Sequence, residues 1–73
     1  MTTFTTPHGI YVEFPALMNK KCLIRIADIS AVHEVWDDAA SCTVWLSNGE
    51  FFRLECTYEE CCAALGMTAT PTA

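Results

Sequence analysis

Hydrophobic and polar residues alternate along four stretches of the chain, and such alternation predicts β-strands. The stretches cover residues 10–14, 22–36 with an interruption at Asp28, 41–46 and 50–56. Pro15 ends the first stretch and has no backbone N–H to donate, which favours a place at a sheet edge. The pattern therefore predicts a small β-sheet with its first strand at one edge.

The last two stretches flank Ser47-Asn48-Gly49, and Asn-Gly between alternating segments is typical of a β-hairpin. A two-residue loop would place Val44 opposite Arg53 and mix charge into an apolar face. A three-residue loop, with Gly49 in the left-handed conformation, keeps one face uniformly apolar, and we favour it because a one-residue slip inverts every side chain. The predicted register pairs Cys42 with Leu54, Thr43 with Arg53, Val44 with Phe52 and Trp45 with Phe51.

A short helix is predicted after the hairpin. Thr57 is a suitable N-cap, and Glu60, three residues later, completes the pattern of a capping box. Gly66 is the expected C-terminal stop. One apolar stripe follows the helical spacing i, i+3, i+4, i+7 and consists of Tyr58, Cys61, Cys62 and Leu65.

These elements predict an α+β fold, with a small antiparallel sheet of three to four strands, flat or curled into a half-barrel, and one C-terminal helix packed on it. Residues 1–8 are rich in threonine and are expected to form a flexible arm. Residues 9–66 are predicted to form a single β-β-β-β-α domain. Residues 67–73, a Thr/Ala/Pro segment, are expected to be a disordered tail.

Three sequence elements carry a resemblance to a known family. They are Ile26-Ala27-Asp28-Ile29, Val44-Trp45-Leu46-Ser47-Asn48-Gly49-Glu50 and Thr57-Tyr58-Glu59-Glu60. Residues 24–65, which contain them, resemble the small flagellar proteins of the FlbD type. The resemblance implies a fold and a non-enzymatic role, and it transfers no site residues. The five cysteines, two tryptophans and added N-terminal strand depart from the family's pattern.

Composition narrows the class of protein. The chain has 73 residues, of which 52% are hydrophobic, and 4 basic against 9 acidic residues give a net charge of −5. This length allows one domain with a thin core, which favours support from a partner subunit. The apolar fraction excludes a disordered chain, and the acidic balance argues against direct binding of nucleic acid.

The N-terminal residues lack a basic region followed by an apolar core, so we expect no signal peptide and a cytoplasmic location. The longest apolar runs are too short to span a bilayer, so no membrane association is expected. An odd number of cysteines in this context predicts reduced thiols that pack as small apolar side chains. They are Cys22, Cys42, Cys56, Cys61 and Cys62.

Neither a metal site nor a catalytic site is predicted, and no cofactor is expected. The spacing of Cys56, Cys61 and Cys62 lacks the paired knuckles of structural zinc sites. A cysteine–histidine nucleophile needs an orienting group and a pocket, for which 73 residues leave little volume. His8 and His33 are therefore expected to be ordinary surface or interface residues.

The predicted register leaves several aromatic side chains on the sheet face that the helix does not cover. Trp45 and Phe51 share that face, Tyr11 is expected to join them, and Trp36 is hard to bury beside Glu34. Such a patch has the composition of a protein interface, although a sheet curled into a closed barrel would bury it within one chain. The predicted interface consists of Tyr11, Glu34, Trp36, Asp37, Asp38, Trp45, Phe51 and Arg53.

The sequence therefore favours a non-enzymatic interaction protein that forms a homodimer or higher oligomer and covers a surface of a larger protein. In type it resembles small phage inhibitors such as anti-CRISPR proteins. The alternative is a homo-oligomer that binds a small anionic ligand, for example a nucleotide, between Lys21, Arg25 or Arg53 and the rings of Trp36 or Trp45. A flagellar or regulatory accessory of the FlbD type is the third hypothesis.

Overall fold

The computed structural model describes residues 1–66. The α+β class is confirmed, but the strands form two three-stranded antiparallel sheets instead of one, and neither sheet closes into a barrel. The single helix of this region lies at its C-terminal end. The elements are β1 (Thr2–Thr6), β2 (Gly9–Pro15), β3 (Lys21–Arg25), β4 (Ile29–Val35), β5 (Asp38–Leu46), β6 (Phe51–Leu54) and α1 (Tyr58–Ala64).

The first sheet has the order β1-β2-β3 and includes the segment for which a flexible arm was expected. Strand β1 pairs with β2 without interruption, from Thr2 opposite Glu13 to Thr6 opposite Gly9. Threonine is β-branched and favours extended backbone. Gly9 has a φ of +124°, a conformation that L side chains rarely adopt, and it closes the tight connection. The arm is thus a paired strand.

The second sheet has the order β4-β5-β6 and is separated from the first by a 3₁₀ turn at Ile26–Asp28. This turn splits the stretch predicted as one interrupted strand. The Arg25 guanidinium holds it by donating to both carboxylate oxygens of Asp28, at 2.9 and 3.0 Å. The Asp28 carbonyl oxygen also accepts from the backbone N–H of Ser47, at 2.8 Å. The strands that were predicted to form one sheet are therefore divided between two sheets.

The β5–β6 hairpin has the predicted register at all four positions. Gly49 has a φ of +91°, as the three-residue loop requires. The Asn48 side chain accepts from the backbone N–H of Glu50 at 2.9 Å, which fixes the turn. The choice of loop length from the uniformity of one face is confirmed.

Helix α1 begins with the predicted capping box. The Thr57 hydroxyl accepts from the Glu60 N–H at 3.0 Å, and the Glu60 carboxylate accepts from the Thr57 N–H at 2.9 Å. The helix packs mainly on β5 and β4. For this reason Phe52, on the edge strand β6, stays 37% exposed, although it is paired with the buried Val44.

The core lies between the two sheets and the helix, and its buried members are Val12, Phe14, Ile24, Cys42, Val44, Leu54, Cys56 and Cys61. No helix within residues 1–66 has the length and apolarity needed to cross a membrane. The predicted disordered tail, residues 67–73, lies outside the described residues.

Candidate interaction surface

Three rings form a continuous row on the outer face of the second sheet, and we call this row the aromatic ridge: His33, Trp45 and Phe51. The Trp45 and Phe51 rings lie opposite each other on β5 and β6, with centroids 4.7 Å apart. The His33 ring lies edge to edge with Trp45 on its other side, with centroids 6.3 Å apart and an interplanar angle of 29°. Phe51 is 58% exposed, so the ridge presents apolar area to solvent.

His33 is held in one orientation within the ridge. The Trp45 indole Nε1–H donates to His33 Nε2 at 2.6 Å, which requires a neutral imidazole with its lone pair on Nε2. The proton is then on Nδ1, which lies 3.4 Å from the Glu34 carbonyl oxygen. We expected His33 to be an ordinary surface or interface residue. Its place opposite Thr43 depends on the β4–β5 register, which the sequence pattern did not define.

Asp38 and Arg53 form a structural pair beside the ridge. The Asp38 carboxylate accepts from Arg53 Nη2 at 2.9 Å, from the Ser41 hydroxyl at 2.9 Å and from the Ala40 N–H at 3.0 Å. The Ser41 and Ala40 hydrogen bonds, together with Arg53, hold the pKa of Asp38 below its usual range. Asp38 and Arg53, both predicted interface residues, therefore stabilise strand β5.

Trp36 and Asp37 form the turn between β4 and β5. The Trp36 side chain is 95% exposed, the most exposed large apolar residue of the described chain. Asp37 is also exposed, and within residues 1–66 its carboxylate has no hydrogen-bond or ion-pair partner. This turn therefore exposes an indole ring and a carboxylate on adjacent residues.

The remaining predicted interface residues lie elsewhere. Tyr11 is on the outer face of the first sheet, where it lines a hollow with Phe4 and Leu23. Glu34 lies opposite Cys42, on the side of β4 that faces the helix. The pKa of Tyr58 is raised, first by its hydrogen bond with Cys62 and further by the carboxylates of Glu34 and Glu59. The structure thus does not bring these two residues to the ridge. Tyr11 belongs to the other sheet, and Glu34 lies on the opposite face of the second sheet.

The three cations of the anionic-ligand hypothesis are dispersed. Lys21 and Arg25 lie on β3 in the first sheet, whereas Arg53 lies on β6 in the second. Each has its own carboxylate partner. The pairs are Lys21 with Glu13 at 3.9 Å, Arg25 with Asp28 at 2.9 Å and Arg53 with Asp38 at 2.9 Å.

The five cysteines are free thiols, as predicted. The Sγ atoms of Cys42 and Cys56 lie 4.0 Å apart in the core. Burial raises the pKa of Cys42 and Cys61 to about 11 and that of Cys56 to about 12, so these thiols stay protonated at neutral pH and are poor nucleophiles. Within residues 1–66, no group of three potential ligands has the geometry to hold a metal ion.

Comparison of the chain with protein-family models, with curated proteins and with solved structures finds no match. The resemblances to FlbD-type and anti-CRISPR proteins therefore stay predictions, and any assignment of function depends on the surface described above.

Proposed function

We propose that the protein is a non-enzymatic interaction protein that binds a basic, arginine-bearing surface of a larger protein. The contact is made by the Trp36–Asp37 turn and continues onto the aromatic ridge. The observation that carries this proposal is the 95% exposure of Trp36 directly beside the free carboxylate of Asp37.

An indole face and a carboxylate together suit a guanidinium group. Arginine stacks on the face of tryptophan by cation–π attraction, and its N–H groups pair with a carboxylate. Tryptophan is also among the residues that contribute most to binding energy when an interface buries it. The turn at Trp36 and Asp37 supplies both features on adjacent residues.

The distribution of charge also favours a basic partner. The net charge is −5, and the two arginines and Lys21 are paired with carboxylates of the same chain. The acidic excess therefore stays available to attract cationic surfaces and to accelerate association at low salt. It repels the phosphate backbone of nucleic acids.

The aromatic ridge supplies the apolar part of the contact. Along the β4–β5 hairpin, the ridge is followed by the Asp38–Arg53 pair and then by the turn that carries Trp36. Apolar rings flanked by polar groups match the core-and-rim arrangement of protein interfaces. A basic groove that handles nucleic acid is a surface of the required chemistry. The protein would then act as a phage-type, anti-CRISPR-like inhibitor in the cytoplasm.

The test uses a deca-arginine peptide as the probe, with binding followed by tryptophan emission and by NMR shifts of the indole N–H groups. We expect Trp36→Ala and Asp37→Lys each to weaken binding about tenfold, which corresponds to about 1.4 kcal/mol. Glu59→Lys, which makes the same change of charge on the helix, is the matched control for Asp37→Lys. It should weaken binding much less, by about twofold.

Equal losses in Asp37→Lys and Glu59→Lys, with no loss in Trp36→Ala, would show that only net charge attracts the peptide and would contradict the proposed surface. A deca-lysine peptide provides a second comparison. Because lysine lacks the planar group that stacks on indole, we expect it to bind more weakly than deca-arginine. Addition of ATP, the probe for the anionic-ligand alternative, should leave the spectra unchanged.

A further inference from the structure

The four edge strands of the two sheets differ in how they are protected against pairing with another chain. Natural edges carry charges, bulges or short strands that prevent such pairing. Strand β3 carries Lys21 and Arg25, and β6 has four residues and includes Arg53. Strand β4 has two register shifts against β5. Strand β1 has five residues without charge, proline or register shift, so its edge is open.

The sequence of β1 is the same in both directions. It reads Thr-Thr-Phe-Thr-Thr and is centred on Phe4. An antiparallel pair of two such strands, related by a twofold axis at Phe4, places threonine opposite threonine at every flanking position and phenylalanine opposite phenylalanine at the centre. Thr–Thr and aromatic pairs are among the cross-strand pairs that stabilise sheets. The strand is therefore complementary to a second copy of itself.

The backbone of β1 has the hydrogen-bonding phase that this symmetry needs. Thr6 and Gly9 close a two-residue loop, and the closing pair of such a loop exchanges hydrogen bonds. Because hydrogen-bonded and non-hydrogen-bonded pairs alternate, Thr3 and Thr5 direct their N–H and C=O groups away from β2. A twofold axis at Phe4 then pairs Thr3 with the partner subunit's Thr5, and Thr5 with the partner subunit's Thr3. Phe4 and the partner subunit's Phe4 then form a non-hydrogen-bonded pair, the type in which side chains approach most closely.

Several side chains beside this edge are apolar or aromatic and partly unburied, and they lie together with Thr6, His8 and Glu13. Phe4 is 42% exposed and Leu23 is 56% exposed, and with Tyr11 they line a hollow of about 510 Å³ on the outer face of the first sheet. A twofold axis at Phe4 places the hollows of two subunits next to each other. Within a chain of net charge −5, β1 itself has no charged side chain, and the nearby Glu13 carboxylate has Lys21 as its partner at 3.9 Å, which limits repulsion between two copies.

We propose that two copies of this chain associate through β1, antiparallel and about a twofold axis at Phe4, to form a six-stranded sheet. The occupant of the open edge is thus a second copy of the same strand. This interface lies on the first sheet and is independent of the proposed function, which uses the second sheet. The dimer leaves both Trp36 turns exposed and presents the acidic, aromatic surface twice, which would raise avidity for a repeated or symmetric partner.

The first test is the mass of the wild-type chain in solution, measured by light scattering and sedimentation under reducing conditions. The weight-average mass should rise from 8.1 kDa towards twice that value. Because the contact is small, we expect this rise between about 10 µM and about 1 mM. A mass of 8.1 kDa throughout that range would overturn the proposal.

The second test addresses the axis itself. Phe4→Lys and Phe4→Glu each place two like charges opposite one another, so each variant alone should remain a monomer. Their equimolar mixture should recover the dimer, because unlike charges then face each other across the axis. Recovery in the mixture cannot arise from misfolding of either variant. A wild-type dimer whose two variants stay monomeric when mixed would refute the placement of Phe4 on the axis.

Two further variants separate this edge from the aromatic ridge. Thr5→Pro removes an N–H that β2 does not use, and it should lower dimer affinity at least tenfold with an unchanged circular dichroism spectrum. Phe51→Lys places a charge on the ridge and should leave the dimer intact. Dissociation by Phe51→Lys, with retention in Phe4→Lys, would assign self-association to the ridge and overturn the proposal.

Discussion

The Trp45 indole donates a 2.6 Å hydrogen bond to His33 across the β4–β5 pair, and the two rings lie nearly in one plane, 29° apart. The indole N–H is thereby satisfied within the chain, and the ring contacts Phe51 on its other side, with centroids 4.7 Å apart. The ridge is held in place before any partner binds. Such preorganisation reduces the entropy that association must overcome.

His33→Ala should release Trp45 from this arrangement. We expect a red shift of its emission and a loss of about 1 kcal/mol of unfolding free energy, the usual net contribution of one hydrogen bond. The measurement is best made in a Trp36→Phe background, which removes the emission of the exposed indole. His8→Ala is the matched control because His8 lies in the β1–β2 turn of the other sheet. Identical spectra for the His33 and His8 variants would contradict the assigned contact.

Asp37 and Asp38 are adjacent in sequence but should respond differently to substitution. Asp38→Lys removes three hydrogen bonds and places a cation beside Arg53, so the melting temperature should fall. Asp37→Lys should leave the melting temperature nearly unchanged, since its carboxylate has no partner within residues 1–66. Thermal unfolding followed by circular dichroism measures both. An equal response of the two variants would contradict the separation of structural and exposed carboxylates.

Asp38 should also contribute to acid stability. Its pKa is lowered in the folded chain by Ser41, Ala40 and Arg53. The unfolded chain therefore binds the proton more readily, and this contribution is present above about pH 4 and lost as the pH falls through the folded pKa. Asp38→Asn should weaken the dependence of stability on pH below about pH 4. The measurement is urea unfolding between pH 2 and pH 6.

Much of the fold follows from local sequence. The β5–β6 register could be predicted because only one loop length keeps Val44 and Cys42 on an uncharged face, and a slip exchanges the two faces. The helix start followed from Thr57 and Glu60, whose side chains act within one turn. Both predictions depend on interactions between residues close in sequence.

The predictions that were wrong or incomplete concern pairing between residues that are distant in sequence. The threonine-rich segment of β1 looks polar in the sequence. It is extended because β2 supplies its hydrogen bonds, and nothing within residues 1–8 specifies that partner. Likewise, the division into two sheets depends on the turn at Ile26–Asp28, which Arg25 and Ser47 hold. For the same reason, only part of the candidate site could be predicted from the sequence. Trp45 and Phe51 follow from the hairpin, whereas His33 requires the β4–β5 register.

The buried thiols should make the protein sensitive to alkali. Burial raises the pKa of Cys42, Cys56 and Cys61 to about 11 or 12. Below about pH 8 both the folded and the unfolded chain hold these protons, so their contribution to stability is complete. At higher pH the unfolded chain ionises first, and stability should fall by about 1.4 kcal/mol per pH unit for each thiol.

Urea unfolding between pH 8 and pH 10, with reductant present, measures this slope. The pKa of Tyr58 is also raised, so ionisation of this residue in the unfolded chain adds to the loss of stability as the pH approaches about 10. Cys61→Ala removes one of the thiols whose pKa is raised by burial and should reduce the slope. The control is Cys62→Ala, which changes a half-buried thiol on the same helix. An unchanged slope in Cys61→Ala would show that this thiol is not buried in the folded chain.

Thr57 determines where the helix begins, and its hydroxyl satisfies the Glu60 N–H. Thr57→Ala leaves that donor without its side-chain acceptor, and we expect a loss of about 1 kcal/mol of unfolding free energy. Helix α1 has seven residues and carries Cys61 into the core, so fraying at its start should loosen the packing on β5. Thr57→Ser keeps the hydroxyl and should retain nearly full stability in the same urea titration. A loss in Thr57→Ser equal to that in Thr57→Ala would assign the effect to the methyl group and not to the cap.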